Sequence, residues 1–145
     1  MYVVFDLDGT LALNEHRVHH IRKHPRDYDA FFAACVDDKL CVPVLRALEA
    51  HLTAFHRVEI WSGRSDQVLA ETIAWLEHHG IHPGLLARMR RAGDHRPDIE
   101  LKREWLRAAQ ASGSAPDLVY DDRDCVVAMW RAEGVACFQV APGPF

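Results

Sequence analysis

The chain is predicted to fold as an α/β, three-layer sandwich, with a five-stranded parallel sheet covered by helices on both faces. Three observations predict it. Five short runs, residues 2–5, 57–61, 85–89, 118–120 and 135–140, are rich in apolar residues, as suits strands buried on both sides. Segments with apolar residues at helical spacing alternate with these runs, and such alternation implies a parallel sheet. Polar clusters stand at the downstream ends of three of the runs, the edge where open α/β sheets bind ligands.

The first strand, Tyr2-Val3-Val4-Phe5, runs into Asp6-Leu7-Asp8-Gly9-Thr10. Alone, this stretch is balanced between a turn, where aspartate and glycine do ordinary turn chemistry, and a site for a hard cation. A basic, histidine-rich stretch follows at 15–24. Its spacing matches no standard zinc pattern, and it is expected to be solvated and to hang over the site, with Arg17 within reach of an anion. Tyr28, Phe31, Phe32 and Cys35 then fall at helical spacing. Residues 14–42 are thus read as a small helical insertion, too short for a full cap domain. Pro43 opens the next helix, with Val44, Leu45, Leu48 and Leu52 on one face.

The second strand ends in Ser62-Gly63-Arg64-Ser65-Asp66. Ser65 is expected to cap the following helix, whose stripe is Leu69, Ile73 and Leu76, and Gly80 stops it. The weaker third strand leads into 88–98, a polar segment with four arginines, Arg88, Arg90, Arg91 and Arg96, which could be plain surface or could hold a polyanion. Asp98 is expected to cap a helix in which Lys102 aligns with the apolar Ile99, Leu106 and Ala109. The fourth strand ends in Asp121-Asp122, which repeats the opening pattern. A helix with Val126, Val127 and Trp130 follows, Gly134 ends it, and a fifth strand closes the fold.

The 145 residues are 49% hydrophobic and 26% charged, enough for one domain with a real core. The net charge of -4 excludes a globally basic nucleic-acid binder, so any such contact must be a local patch. No apolar run is long enough to span a membrane, and the chain opens directly in a strand, which argues against a signal peptide. Cys35, Cys41, Cys125 and Cys137 form no CxxC pair. Reduced thiols and a cytoplasmic location are the simple expectation.

Parallel strand ends all point one way. Asp6 and Asp8, Ser62 and Arg64, and Asp121 and Asp122 therefore converge, and Lys102 arrives from a helix start. Four crowded carboxylates repel unless a divalent cation neutralises them. Acids for magnesium together with donors for oxyanions make the equipment of phosphoryl transfer.

FDLDGTL, WSGR, the lone Lys102 and YDDRD, in that order, resemble the four motifs of the haloacid-dehalogenase-type (HAD) phosphatases. SGR, RRAGDHRPD followed by LKREWL, and DDRDCVVAMWRAEGVACFQVAPGPF are similar to the 3′-phosphatase domain of phage-type polynucleotide kinase/phosphatases. No GxxxxGK[ST] kinase motif is present. The resemblance implies a Rossmann-like sheet of strand order 3-2-1-4-5 and a magnesium-dependent hydrolase. It implies that Asp6 is the nucleophile, that Asp8 is the acid and then the base, and that Ser62 and Lys102 stabilise the phosphoryl group. Magnesium would be held by Asp6, Asp122, the Asp8 carbonyl and Asp121, directly or through water. Arg17, Ser62, Gly63, Arg64, Asp98 and Lys102 would bind the substrate or shape its site. The implied substrate is a 3′-phosphorylated DNA or RNA end, with a separate kinase or ligase as possible partner. The alternatives are a phosphatase of free nucleotides or other small phosphomonoesters, and a non-catalytic phosphate-end binding subunit of a repair complex.

Overall fold

The computed structural model describes residues 1–144. Its main sheet contains β1 (Tyr2–Phe5), β4 (Arg57–Ser65), β5 (Leu86–Arg90), β6 (Leu118–Asp121) and β7 (Ala136–Gln139). The order is β5-β4-β1-β6-β7, and every pairing is parallel. Counting only these five, the order is the expected 3-2-1-4-5. The two most apolar strands, β1 and β6, occupy the middle, where both faces are covered.

Alternation along β1 divides the core. Tyr2 and Val4 join a cluster with Trp105, Leu106, Val126 and Trp130 from α5 (Asp98–Ala111) and α6 (Asp124–Ala132). Val3 and Phe5 face the other way and join Leu45, Leu48, Trp75 and Leu76 from α3 (Val42–Thr53) and α4 (Leu69–His78). One strand thus feeds two helical layers, which is the period-two rule at work.

The insertion differs from the sequence expectation in three ways. It begins and ends in a small antiparallel pair, β2 (Ala12–Leu13) with β3 (Lys39–Leu40), which two residues per strand leave invisible to pattern reading. Between them lie α1 (His19–Arg22), α2 (Tyr28–Ala33) and a 3-10 turn over Ala34–Asp37. The basic stretch is not wholly solvated, because Arg17 and Val18 are buried.

One helix face is rotated from expectation, and another ends earlier than expected. In α4 the buried residues are Thr72, Trp75 and Leu76, while Leu69 is exposed. Polar chemistry sets this rotation: Arg64 donates to Thr72 Oγ1 at 3.2 Å, and Trp75 Nε1 donates to the Asp38 carbonyl at 2.8 Å. In α3 Leu52 is exposed, since it falls in the last turn. Ser65 caps a short 3-10 turn, Asp66–Val68, ahead of α4. Asp98 lies in the first turn of α5 and makes no capping bond; its carboxylate is used by cations instead.

Candidate active site

The charged residues meet at the C-terminal edge of the sheet. Asp6 directly follows β1, and its amide donates to the Tyr120 carbonyl at 2.9 Å, so strand pairing fixes where its side chain starts. The chain then turns through Gly9, at φ +89°. A side chain there would need the left-handed region and would also collide with the Asp122 carboxylate, 2.2 Å from a Cβ at that position. Gly63 is constrained similarly: its Cβ would lie 2.1 Å from Asp98 Oδ1. Each glycine gives up its side chain so that a carboxylate can approach the backbone.

Lys102 is buried, and its ammonium donates to Asp6 Oδ1 at 2.7 Å and to Asp121 Oδ2 at 2.8 Å. Asp98, one turn earlier, lies 3.3 Å from the same nitrogen and is also held by Arg90 at 3.3 Å. Burial alone would push the Lys102 ammonium down, but Asp121, Asp6 and Asp98 together raise it well above its ordinary value. Lys102 is therefore a fixed positive charge.

Asp6, Asp121 and Asp122 are buried, and ligand oxygens from the three lie within 4.8 Å of one another. Asp121 has partners, including Lys102 and the Trp130 indole N–H at 3.3 Å. Asp122 Oδ1, by contrast, is buried with no hydrogen-bond partner. Burial, then repulsion from Asp121, pushes the Asp122 carboxyl up to about 7. Burial first, only partly offset by Lys102, also raises Asp6. When all three are ionised, the carboxylates against one ammonium leave two negative charges. A divalent cation with oxygen ligands balances that excess and uses the orphaned oxygen, so these residues fit magnesium.

Asp122→Asn is accordingly expected to raise the melting temperature of the metal-free protein above pH 7 while removing the rise that magnesium gives. The sign follows from linkage. The Asp122 carboxyl is raised in the folded state, so its contribution is most favourable below the unfolded carboxylate range and is lost as pH rises through about 7. Thermal melts from pH 5 to 8, with and without magnesium, measure it; a magnesium-induced rise retained in the variant would refute the assignment. Half-saturating magnesium for the wild type should likewise increase below pH 7, as protons compete for the same oxygens.

Asp8 has a different setting. Its carboxylate accepts from Arg17 Nη2 at 2.6 Å and from both Nη2 and Nε of Arg64. Burial alone would raise this carboxyl, but Arg64 and Arg17 overcome it and hold it at about 2. Its resting form is thus a carboxylate, where an acid role in the first step requires a proton. The expected role of Arg17 and Arg64 is to bind the substrate or shape its site. Both are fully buried, and both are committed to Asp8 and Asp38.

Asp38 is the residue that sequence reasoning missed. Its buried carboxylate takes Arg17 Nε at 2.7 Å, Arg17 Nη2 at 2.6 Å and Arg64 Nη2 at 3.0 Å. In the sequence it was only part of a helix-breaking Asp37-Asp38-Lys39. Removing one partner from a buried ion network costs roughly 3–5 kcal/mol. Asp38→Ala is expected to lose stability on that scale by urea denaturation, and to lose activity with it.

Ser62 is buried in β4, the strand next to β1, and its Oγ accepts the Arg64 amide at 3.1 Å, which leaves the hydroxyl proton free to donate. Among the arginines of 88–98, Arg90 is structural, donating to the Gly63 carbonyl at 2.7 Å and the Arg96 carbonyl at 2.7 Å. Arg96 pairs with Asp94 and Glu104, and Arg88 lies over the Trp61 ring. Arg91 remains exposed on the rim of a cavity of about 480 Å³ that reaches Asp6 and Asp8.

A family model described as the polynucleotide kinase PNKP phosphatase domain matches residues 1–145. The chain belongs to that family. It is a HAD-type phosphatase, as the order of its motifs implied. Two similar solved structures are chains in Pnkp1/Rnl/Hen1 complexes. One, in the Pnkp1/Rnl/Hen1 RNA repair complex, is 30% identical with a TM-score of 0.80; the other is 34% identical with a TM-score of 0.81. The phosphatase is covered to 99% in both, yet it spans only 43% and 47% of those chains. A class C acid phosphatase from Bacillus anthracis shares the fold at 18% identity and TM-score 0.67, over 99% of this chain and 66% of that one. Among the described residues, no helix of the phosphatase is long and apolar enough to cross a membrane.

Proposed function

We propose that this phosphatase removes the phosphate from a 3′-phosphorylated nucleic-acid end, through a covalent aspartyl-phosphate on Asp6 and with magnesium as cofactor. The observation that carries the reading is Asp6 itself: an acid at a strand end, at the floor of an accessible cavity, with Lys102 on one oxygen. The family match and the likeness to chains of RNA repair complexes support the nucleic-acid end as substrate, and support a ligase or kinase as functional partner.

The chain's own groups divide the work. An Asp6 oxygen attacks phosphorus, and the bond to the 3′-oxygen breaks. Lys102 neutralises the charge shared by the nucleophile and the phosphoryl oxygens, and the Ser62 hydroxyl donates to one of those oxygens. Asp8 rests as a carboxylate, so the proton for the leaving oxygen comes in with the monoanionic phosphomonoester, whose second pKa lies near 6. Asp8 passes that proton on and then, as a carboxylate again, takes one from the water that opens the aspartyl-phosphate. Arg17 and Arg64, clamped by Asp38, keep its oxygens aimed. Asp6, Asp121, Asp122 and the Asp8 carbonyl would hold magnesium, which would supply further charge neutralisation at the phosphoryl oxygens.

The test is phosphate release, with and without magnesium, from 3′- and 5′-phosphorylated DNA and RNA oligomers and from mononucleotides. Magnesium-dependent release from 3′ ends is expected. A many-fold preference for mononucleotides would replace this reading with the small-phosphomonoester one.

A further inference from the structure

The cavity above Asp6 has two unlike halves. Its floor is charged, whereas the insertion contributes Val18, Ile21, Tyr28, Phe31 and Phe32. The three aromatic residues have different duties. Phe31 is buried, with the Arg17 guanidinium 4.2 Å from its ring centre, and Arg17 Nη1 donates to the Phe31 carbonyl at 3.1 Å. Phe31 therefore anchors α2 to the buried arginine beneath Asp8. Tyr28 and Phe32 lie one helical turn apart, on one side of α2, with ring centres 6.4 Å apart and planes inclined by 30°. Both line the cavity, and Tyr28 keeps 42% of its surface exposed. Arg26 donates to the Tyr28 hydroxyl at 3.2 Å and steadies its polar end. Folding leaves Tyr28 exposed and Phe32 only partly covered, in the cavity that also reaches Asp6.

We propose that Tyr28 and Phe32 form a stacking shelf for the base of the nucleotide that carries the phosphate. The proposal rests on the nucleic-acid reading of the site and names which part of the substrate is held. A phosphate on the charged floor leaves its organic group beneath an apolar roof. Sugar hydroxyls gain little there, while the flat face of a base gains both burial and aromatic contact. Stacking tolerates any base, so the shelf supplies affinity without sequence preference. Arg91 and Arg26, both exposed at the cavity, can meet the phosphate of the preceding nucleotide. Because Phe31 ties α2 to Arg17, the shelf is held at a set height above Asp8.

The test compares a single-stranded oligomer ending in a nucleoside 3′-phosphate with the same oligomer ending in an abasic 3′-phosphate. Wild type is expected to favour the nucleoside end by roughly 10- to 100-fold in kcat/KM, carried by KM. In Tyr28→Ala/Phe32→Ala the ratio should collapse towards one, and Tyr28→Phe should retain it. Because the readout is a ratio on one protein, partial loss of folded enzyme does not imitate it; Tyr28→Ala alone, at an exposed position, should give an intermediate ratio. A wild type indifferent to the base, or a double variant that keeps the preference, would overturn the shelf. If mononucleotides react and no oligomer does, the polymer reading fails, and the same comparison on a 3′-mononucleotide and its base-free ribose phosphate still decides the shelf.

Discussion

Asp6→Asn should abolish turnover, with kcat falling by ~10⁴-fold or more, as when a covalent nucleophile is removed, while the fold survives. The amide keeps one oxygen in place to accept the Lys102 ammonium, which donates to Asp6 Oδ1 at 2.7 Å, so the buried lysine is not orphaned. The substitution also removes one negative charge from a cluster in which three acids face one lysine. The metal-free variant should therefore melt no lower than wild type. Loss of turnover with an unchanged melting temperature separates chemistry from folding. Near wild-type release of phosphate would sink the covalent mechanism on Asp6; of its neighbours, Asp8 is turned to its arginines, and Asp121 is occupied by Lys102 and Trp130.

Much of this site was legible in the sequence because a parallel sheet converts position in the chain into position in space. Asp6, Ser62, Asp121 and Asp122 follow or end apolar runs, and strand pairing brings such ends to one edge. Lys102 stood out as a cation on an apolar face, and that oddity proved to be burial among carboxylates. What was not legible was the support beneath. Asp38 comes from the insertion, where helices of four and six residues and two-residue strands carry too short a period to read. Its partner Arg17 lay in a segment whose composition signals solvent, yet folding draws it fully inside because Asp8 and Asp38 need its charge. The same network explains the rotated face of α4: hydrophobicity alone ranks Leu69 above Thr72, but an arginine seeking an acceptor reverses the order.

Lys102→Ala should be nearly as damaging, and for two separable reasons. The first is catalytic. A preorganised donor aimed at charge that develops in the transition state contributes about 3 kcal/mol or more, which is roughly a 100- to 1,000-fold loss of kcat. The second is structural. Its removal leaves Asp6 and Asp121, each within 2.8 Å of the ammonium, buried without that countercharge. Breaking a buried pair costs roughly 3–5 kcal/mol. Protons can replace part of the lost charge, since Asp6 and Asp122 already sit above the ordinary carboxylate range. Acids raised in the folded state favour folding at low pH, and this is lost as pH climbs through their folded values. The variant's stability deficit should therefore be small at pH 5 and grow towards pH 8, and magnesium should offset it where protons no longer do. Urea denaturation at both pH values, with and without magnesium, reads this term; single-turnover phosphate release at saturating magnesium reads the catalytic one. A deficit independent of pH and magnesium would mean that Lys102 is packed as an aliphatic stem and not as the countercharge of the three aspartates.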